Sequence, residues 1–152
     1  MPTISGLWVE NKMKPSARHN AREYALQALY EWLLSNNNPN NIELHFLETM
    51  DPTTVDIEYF KKLLHGTIQE ANQSDEYMKP YLDRSTQGLD PITLSVMRLA
   101  IFELAKHQDI PYRVVINEAL ELTKKFGATD AYKYVNGILD KVSKDLRKEE
   151  TA

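Results

Sequence analysis

Asp109–Lys141, DIPYRVVINEALELTKKFGATDAYKYVNGILDK, is the stretch whose reading decides the fold. Apolar residues recur in it at helical spacing on both sides of a short Gly-containing turn, the pattern of two amphipathic helices. Pro111 opens the first helix, since a proline lacks only an N–H that the first turn leaves unpaired. Gly127 is expected to close it as a left-handed cap. Thr129 or Asp130 is placed to cap the second helix. In that helix Ala131, Tyr134, Val135, Ile138, Leu139, Val142 and Leu146 form one apolar stripe. Gly137 interrupts the helix at a cost of about 1 kcal/mol in propensity, so close contact with another helix is expected there.

The chain reads the same way on working outward. Asp90-Pro91 is a capped start for a helix over Ile92–His107, with Leu94, Met97, Ile101 and Leu104 on one face. Asp56–Ala71 carries Ile57, Phe60, Leu63, Leu64, Thr67 and Ile68 at helical spacing. A shorter helix is expected over Tyr77–Arg84, bent by Pro80, and Gln87-Gly88 breaks the chain after it. A short helix fits Ile42–Glu48, after the turn-forming run Ser35–Asn41. The first helix spans about Ala17–Leu34, with Ser16 as N-cap and Ala17, Ala21, Ala25, Ala28, Leu29 and Trp32 as a close-packing stripe. An all-α class follows, with two packed sub-bundles joined near Gly88.

Composition narrows the function. The 152 residues suit one domain, and 42% are apolar, enough for a core at this size. No cysteine is present, so disulfides and thiolate metal sites are excluded, as suits a cytoplasmic protein. No apolar run is long enough to span a membrane. MPTISGLWVENK is no signal peptide, and residues 1–12 are expected to be a flexible N-terminal extension before a single domain over 13–148. The net charge of −4 argues against indiscriminate binding to polyanions. Its distribution is uneven: Lys12, Lys14, Arg18 and Arg22 are uninterrupted by acids, whereas Glu31–Asp90 holds eleven acids against four bases.

His19, His45, His65 and His107 are scattered, and no HExxH, phosphate loop or nucleophile elbow occurs. Glu118 and Glu121 share a helix face without His or Cys nearby and read as salt-bridge residues rather than a catalytic pair. No metal, cofactor or enzymatic activity is expected. Met13–Trp32 is the more suggestive segment. Arg18 and Arg22 are four apart and share a face. Guanidinium forks suit phosphates and base edges, and Gln27 and Tyr30 follow, with Tyr30 able to stack on a splayed base. From the residues alone a solvated helix start is the plainer reading of this segment. Around the turn of the last two helices lie Lys124, Lys125, Asp130, Lys133 and Tyr134; the position of Tyr134 on the apolar stripe suits core packing as well as a ligand surface.

AREYALQALYEW (Ala21–Trp32), MKPYLDR (Met78–Arg84), RLAIFEL (Arg98–Leu104) and above all Ile110–Lys141 resemble the NusB family of bacterial antitermination factors. The likeness runs from Met13 to about Leu146. It implies about seven helices in a NusB-like bundle. It also implies recognition of the boxA element of ribosomal RNA leader transcripts, together with the small-subunit ribosomal protein NusE, within an RNA polymerase antitermination complex. Aligned with the family, the RNA-binding residues are Lys14, Arg18, Arg22, Gln27, Tyr30, Asp130, Lys133 and Tyr134. The partner-binding residues are Tyr81, Arg84, Gln87 and Ile92. Family members occur as monomer and homodimer. Where well-studied members carry a dense arginine run, this chain has Arg18-His19-Asn20. Each lost phosphate contact lowers the salt slope of binding by about 0.7 on single strands, so weak RNA binding without the partner is expected. Asp130 either accepts from a base amino group or repels phosphate.

Overall fold

The structure is a computed structural model, described over residues 15–152; the expected N-terminal extension and Lys14 lie outside the described residues. It comprises α1 (Pro15–Ser35), α2 (Pro39–Leu47), α3 (Ile57–Gln69), α4 (Ala71–Met78), α5 (Pro91–Lys106), α6 (Tyr112–Phe126), α7 (Ala131–Leu146) and α8 (Lys148–Thr151). Short 3-10 turns at Lys79–Tyr81 and Thr86–Gly88 join α4 to α5. The described residues contain no strand, and none of their helices is long and apolar enough to cross a membrane.

Helix α5 is the pillar of the fold. Every residue from Thr93 to Leu104 is buried except Arg98, so this helix is enclosed all round rather than on the single face its spacing suggested. The sub-bundle of α1, α2 and α3 packs on one side of it, and α6 and α7 pack on the other. Asp90 caps α5 as expected, its carboxylate accepting from Thr93 N at 3.1 Å. The other end is capped by Arg147, a residue the sequence did not single out. Its guanidinium is 3% exposed and donates to the carbonyls of Leu104 at 2.8 Å, Ile110 at 2.9 Å and His107 at 3.1 Å. A cation on the carbonyls at the end of α5 also complements the helix dipole.

Several local expectations are revised. Pro15 begins α1, so Ser16 lies inside the helix rather than capping it. Pro39 is the first residue of α2, and Asn38 caps it by accepting from Asn40 N at 2.8 Å. The segment after α3 does not wait until Tyr77 to become helical; α4 starts at Ala71, and Pro80 lies in a 3-10 turn. Arg98 holds α4 to α5 through a two-pronged ion pair with Asp75, at 2.9 and 2.8 Å. Gly127 is extended, with φ −96°, and not left-handed. A methyl group there would come within 2.8 Å of the Thr123 carbonyl oxygen, so close approach of backbone, not handedness, calls for glycine. Gly137 is the reverse case: it is exposed, and an added Cβ would meet nothing within 4 Å. The close helix contact is made instead at Gly66, where a Cβ would lie 2.1 Å from the ring of Phe102.

Candidate nucleic-acid interface

The face of α1 that carries Arg18 and Arg22 packs on α3 and α5, and the two arginines meet different fates. Arg22 is 4% exposed. Its Nε donates to Glu103 at 2.9 and 3.1 Å, and its Nη2 donates at 2.9 Å. The Tyr59 hydroxyl donates to the same carboxylate. Burial alone would lower the Arg22 pKa, but the Glu103 hydrogen bonds and charge outweigh it and raise it. Burial, reinforced by Glu103, pushes the Tyr59 hydroxyl far above its ordinary value. Arg22, expected among the RNA-binding residues, thus has its fork filled by a carboxylate inside the protein. Arg18, one turn earlier, stays 43% exposed at its side chain, with its guanidinium 4.5 Å above the Tyr59 ring and 3.8 Å from Asp56.

Acids also meet the other cations on this side. His19 sits between Glu118 (2.7 Å) and Glu23 (3.0 Å). Burial lowers its pKa, and the two carboxylates more than offset this, so the net shift is upward. Glu118 is thus an ion-pair residue, as expected, but one that ties α6 to α1. Lys125 reaches from the end of α6 to Glu23 at 2.9 Å.

Further along α1, Gln27 is exposed and Tyr30 half-buried. Both line an open groove of about 710 Å³ with Leu26, Leu34, Phe46 and Phe126. Ile92, expected on the partner surface, lines the same groove. On α7, Asp130, Lys133, Tyr134 and Gly137 follow the i, i+3, i+4, i+7 pattern of one helix face. Asp130 and Lys133 are exposed, 3.7 Å apart. Asp130 holds the N-cap position but makes no capping hydrogen bond, and neither does Thr129. Tyr134 is half-buried. Its ring packs against the core, while its hydroxyl emerges to donate to Asp83 at 3.2 Å.

The partner set lies beside it. Tyr81 donates to Asp145 of α7 at 2.5 Å. Arg84 stands with its guanidinium 5.6 Å from the Tyr134 ring centroid. Gln87 is exposed in the second 3-10 turn. The two expected surfaces are therefore interleaved: Ile92 adjoins Tyr30, and Arg84 adjoins Tyr134. Asp83 at that junction was missed, because nothing in MKPYLDR marks an acid as the partner of a tyrosine fifty-one residues later. Glu103 left a signal, a single acid among the apolar residues of RLAIFEL. No cluster of metal-ligating side chains occurs among the described residues.

A NusB family model matches residues 19–144. The chain is 48% identical over 144 residues to the transcription antitermination protein NusB of Alcanivorax borkumensis, covering 95% of this chain and 96% of that one. The chain belongs to the NusB family. Its likeness to NusB of Yersinia pestis is 51% over 136 residues, covering 90% and 99%. Among solved structures it is similar to Thermotoga maritima NusB, with 28% identity, a TM-score of 0.75 and coverage of 93% and 96%. It is also similar to a chain in a crystal structure of the antitermination factors NusB and NusE in complex with double-stranded RNA. There identity is 26%, the TM-score 0.77 and coverage 87% and 99%.

Proposed function

We propose that this protein is an RNA-binding transcription antitermination factor that recognises the boxA element of ribosomal RNA leader transcripts together with NusE. The observation that carries the reading is the near-complete match to antitermination proteins of the NusB family, joined to the fold it shares with a chain crystallised with NusE and RNA. The protein acts by recognition rather than catalysis. Arg18 and Lys133, with Lys14 outside the described residues, contact phosphates; Gln27, Tyr30 and Tyr134 engage bases; Asp130 tunes affinity from the rim of α7. Tyr81, Arg84, Gln87 and Ile92 face the partner.

The sequestration of Arg22 and His19 by Glu103, Glu118 and Glu23 supports a dependence on that partner. A polyanion gains little from cations whose charge is already neutralised. The same observation favours a second reading, a protein-interaction scaffold that has little RNA binding of its own. The deciding experiment measures binding of a fluorescent boxA RNA with and without purified NusE at two salt concentrations. Selective binding that requires NusE is expected, and Arg18→Ala weakens it. No selective binding even with NusE overturns RNA recognition, and indifference to Arg18→Ala favours the scaffold.

A further inference from the structure

We propose that Arg84 and Tyr134 form a binding site for a backbone phosphate of single-stranded RNA, which Asp83 occupies as an internal phosphate mimic until RNA displaces it. This rests on the RNA-binding reading above and adds to it a site and a built-in competitor.

The Asp83 carboxylate takes the position that a phosphate would take. Arg84 Nε donates to Oδ1 at 2.8 Å and Nη2 donates to Oδ2 at 3.1 Å, the side-on fork with which a guanidinium binds either anion. Tyr134 supplies a third donor, its hydroxyl 3.2 Å from Oδ1. Three donors from two separate elements thus converge on one anion at the surface. Hydrogen bonds from Arg84, with a smaller share from Tyr134, hold the Asp83 carboxyl at about 2, so it stays charged wherever RNA would compete. The Arg84 guanidinium also stands over the Tyr134 ring, fixing the fork beside an aromatic face.

Exchange is open to solvent. The Arg84 and Asp83 side chains are 53% and 63% exposed, and an ion pair at such exposure is weak and screened by salt. A phosphate can therefore replace the carboxylate by rotation of one side chain, without opening the core. Lys133, one residue before Tyr134 and exposed, continues the site along α7.

The test measures affinity for a boxA RNA oligonucleotide, in the presence of NusE, at about 50 and 200 mM salt. The proteins are the wild type, Asp83→Asn, Arg84→Ala and the Asp83→Asn/Arg84→Ala double variant, with thermal melts to confirm folding and NusE affinity measured without RNA, so that a loss of partner binding at Arg84 is separated from a loss of RNA contact. Asp83→Asn should bind RNA about threefold more tightly or better, the release expected from an exposed pair. The salt slope should flatten by about 0.7 in Arg84→Ala, which loses the phosphate contact. Arg84→Ala should bind more weakly, and adding Asp83→Asn to it should restore nothing. An equal gain from Asp83→Asn with and without Arg84 would mean a general charge effect and overturn the proposal. A loss of affinity in Asp83→Asn would make Asp83 a support for Arg84 and overturn it too. If the wild type binds and the variants match it, only this inference fails; if no form binds RNA, the functional reading falls with it.

Discussion

An arginine, a carboxylate and a tyrosine meet twice in this molecule. Inside, Arg22, Glu103 and Tyr59 lie at 4%, 1% and 4% exposure between α1, α3 and α5. At the surface, Arg84, Asp83 and Tyr134 repeat the chemistry between the α4–α5 connection and α7. The inner cluster cannot exchange its carboxylate, because an unpaired charge left there would face the apolar core. The outer one can, because water stabilises whichever group is left over. Burial, not residue type, separates a structural arginine from one able to take a ligand. Helical spacing puts Arg18 and Arg22 on one face but carries no information about their different burial.

The largest effect that tests this contrast is on stability. Glu103→Ala strips the buried Arg22 of its bidentate partner, leaving only the Glu118 carboxylate 3.5 Å away, and should cost about 3 kcal/mol in a denaturant titration. A loss under about 1 kcal/mol would show that Arg22 reaches solvent and that the two clusters do not differ. The double variant Arg22→Met/Glu103→Leu removes both charges together; it should fold and keep its RNA affinity if Arg22 is no ligand contact. Next in size is Gly66→Ala. Its methyl group would come within 2.1 Å of the Phe102 ring, and overpacking of this kind costs about 1–3 kcal/mol. Gly137→Ala, where nothing stands in the way, should instead stabilise by up to about 1 kcal/mol. A loss at Gly137 would mean that the exposed face of α7 is constrained in some way that the free space around it does not show.

The legibility of the sequence follows the same division. Helices α5, α6 and α7 could be read because caps and apolar spacing are local: Asp90-Pro91 does what such a pair does in any helix. The Gly137 expectation fails because it concerns a neighbour, and spacing carries no information about what lies opposite a residue; Gly127 does close its helix, but through an extended backbone and a close approach to Thr123 rather than a left-handed one. The turn-forming composition of Ser35–Asn41 hides the start of α2, where Asn38-Pro39 is a cap followed by a first helical residue. For the candidate interface, Tyr30, Gln27 and Lys133 lie at or near the surface as expected, whereas Arg22 depends on Glu103, eighty-one residues away. Asp83 could be found only once α7 had been laid beside the turn that carries it.

The smallest expected effect is the pH dependence, and two histidines pull it in opposite directions. His19 has a raised pKa in the folded chain, since Glu118 and Glu23 more than offset its burial. The folded state therefore holds its proton more tightly than the unfolded state does. Its contribution is fully present below the unfolded value of about 6.5 and is lost as pH rises through the raised folded value. His107 has a lowered pKa, chiefly through burial, where its ring packs edge-on against Tyr59 and Phe102. Its contribution is present above about 6.5 and is lost as pH falls through the depressed value. Stability across pH 5–8 should therefore be flatter in the wild type than in either variant. His19→Gln should leave a chain that gains stability as pH rises, and His107→Gln one that loses it. Urea midpoints at several pH values read both slopes. If His19→Gln leaves the profile unchanged, the ion pairs that hold the start of α1 to α6 contribute nothing beyond their geometry. The contrast between the two clusters would then rest on Glu103 alone.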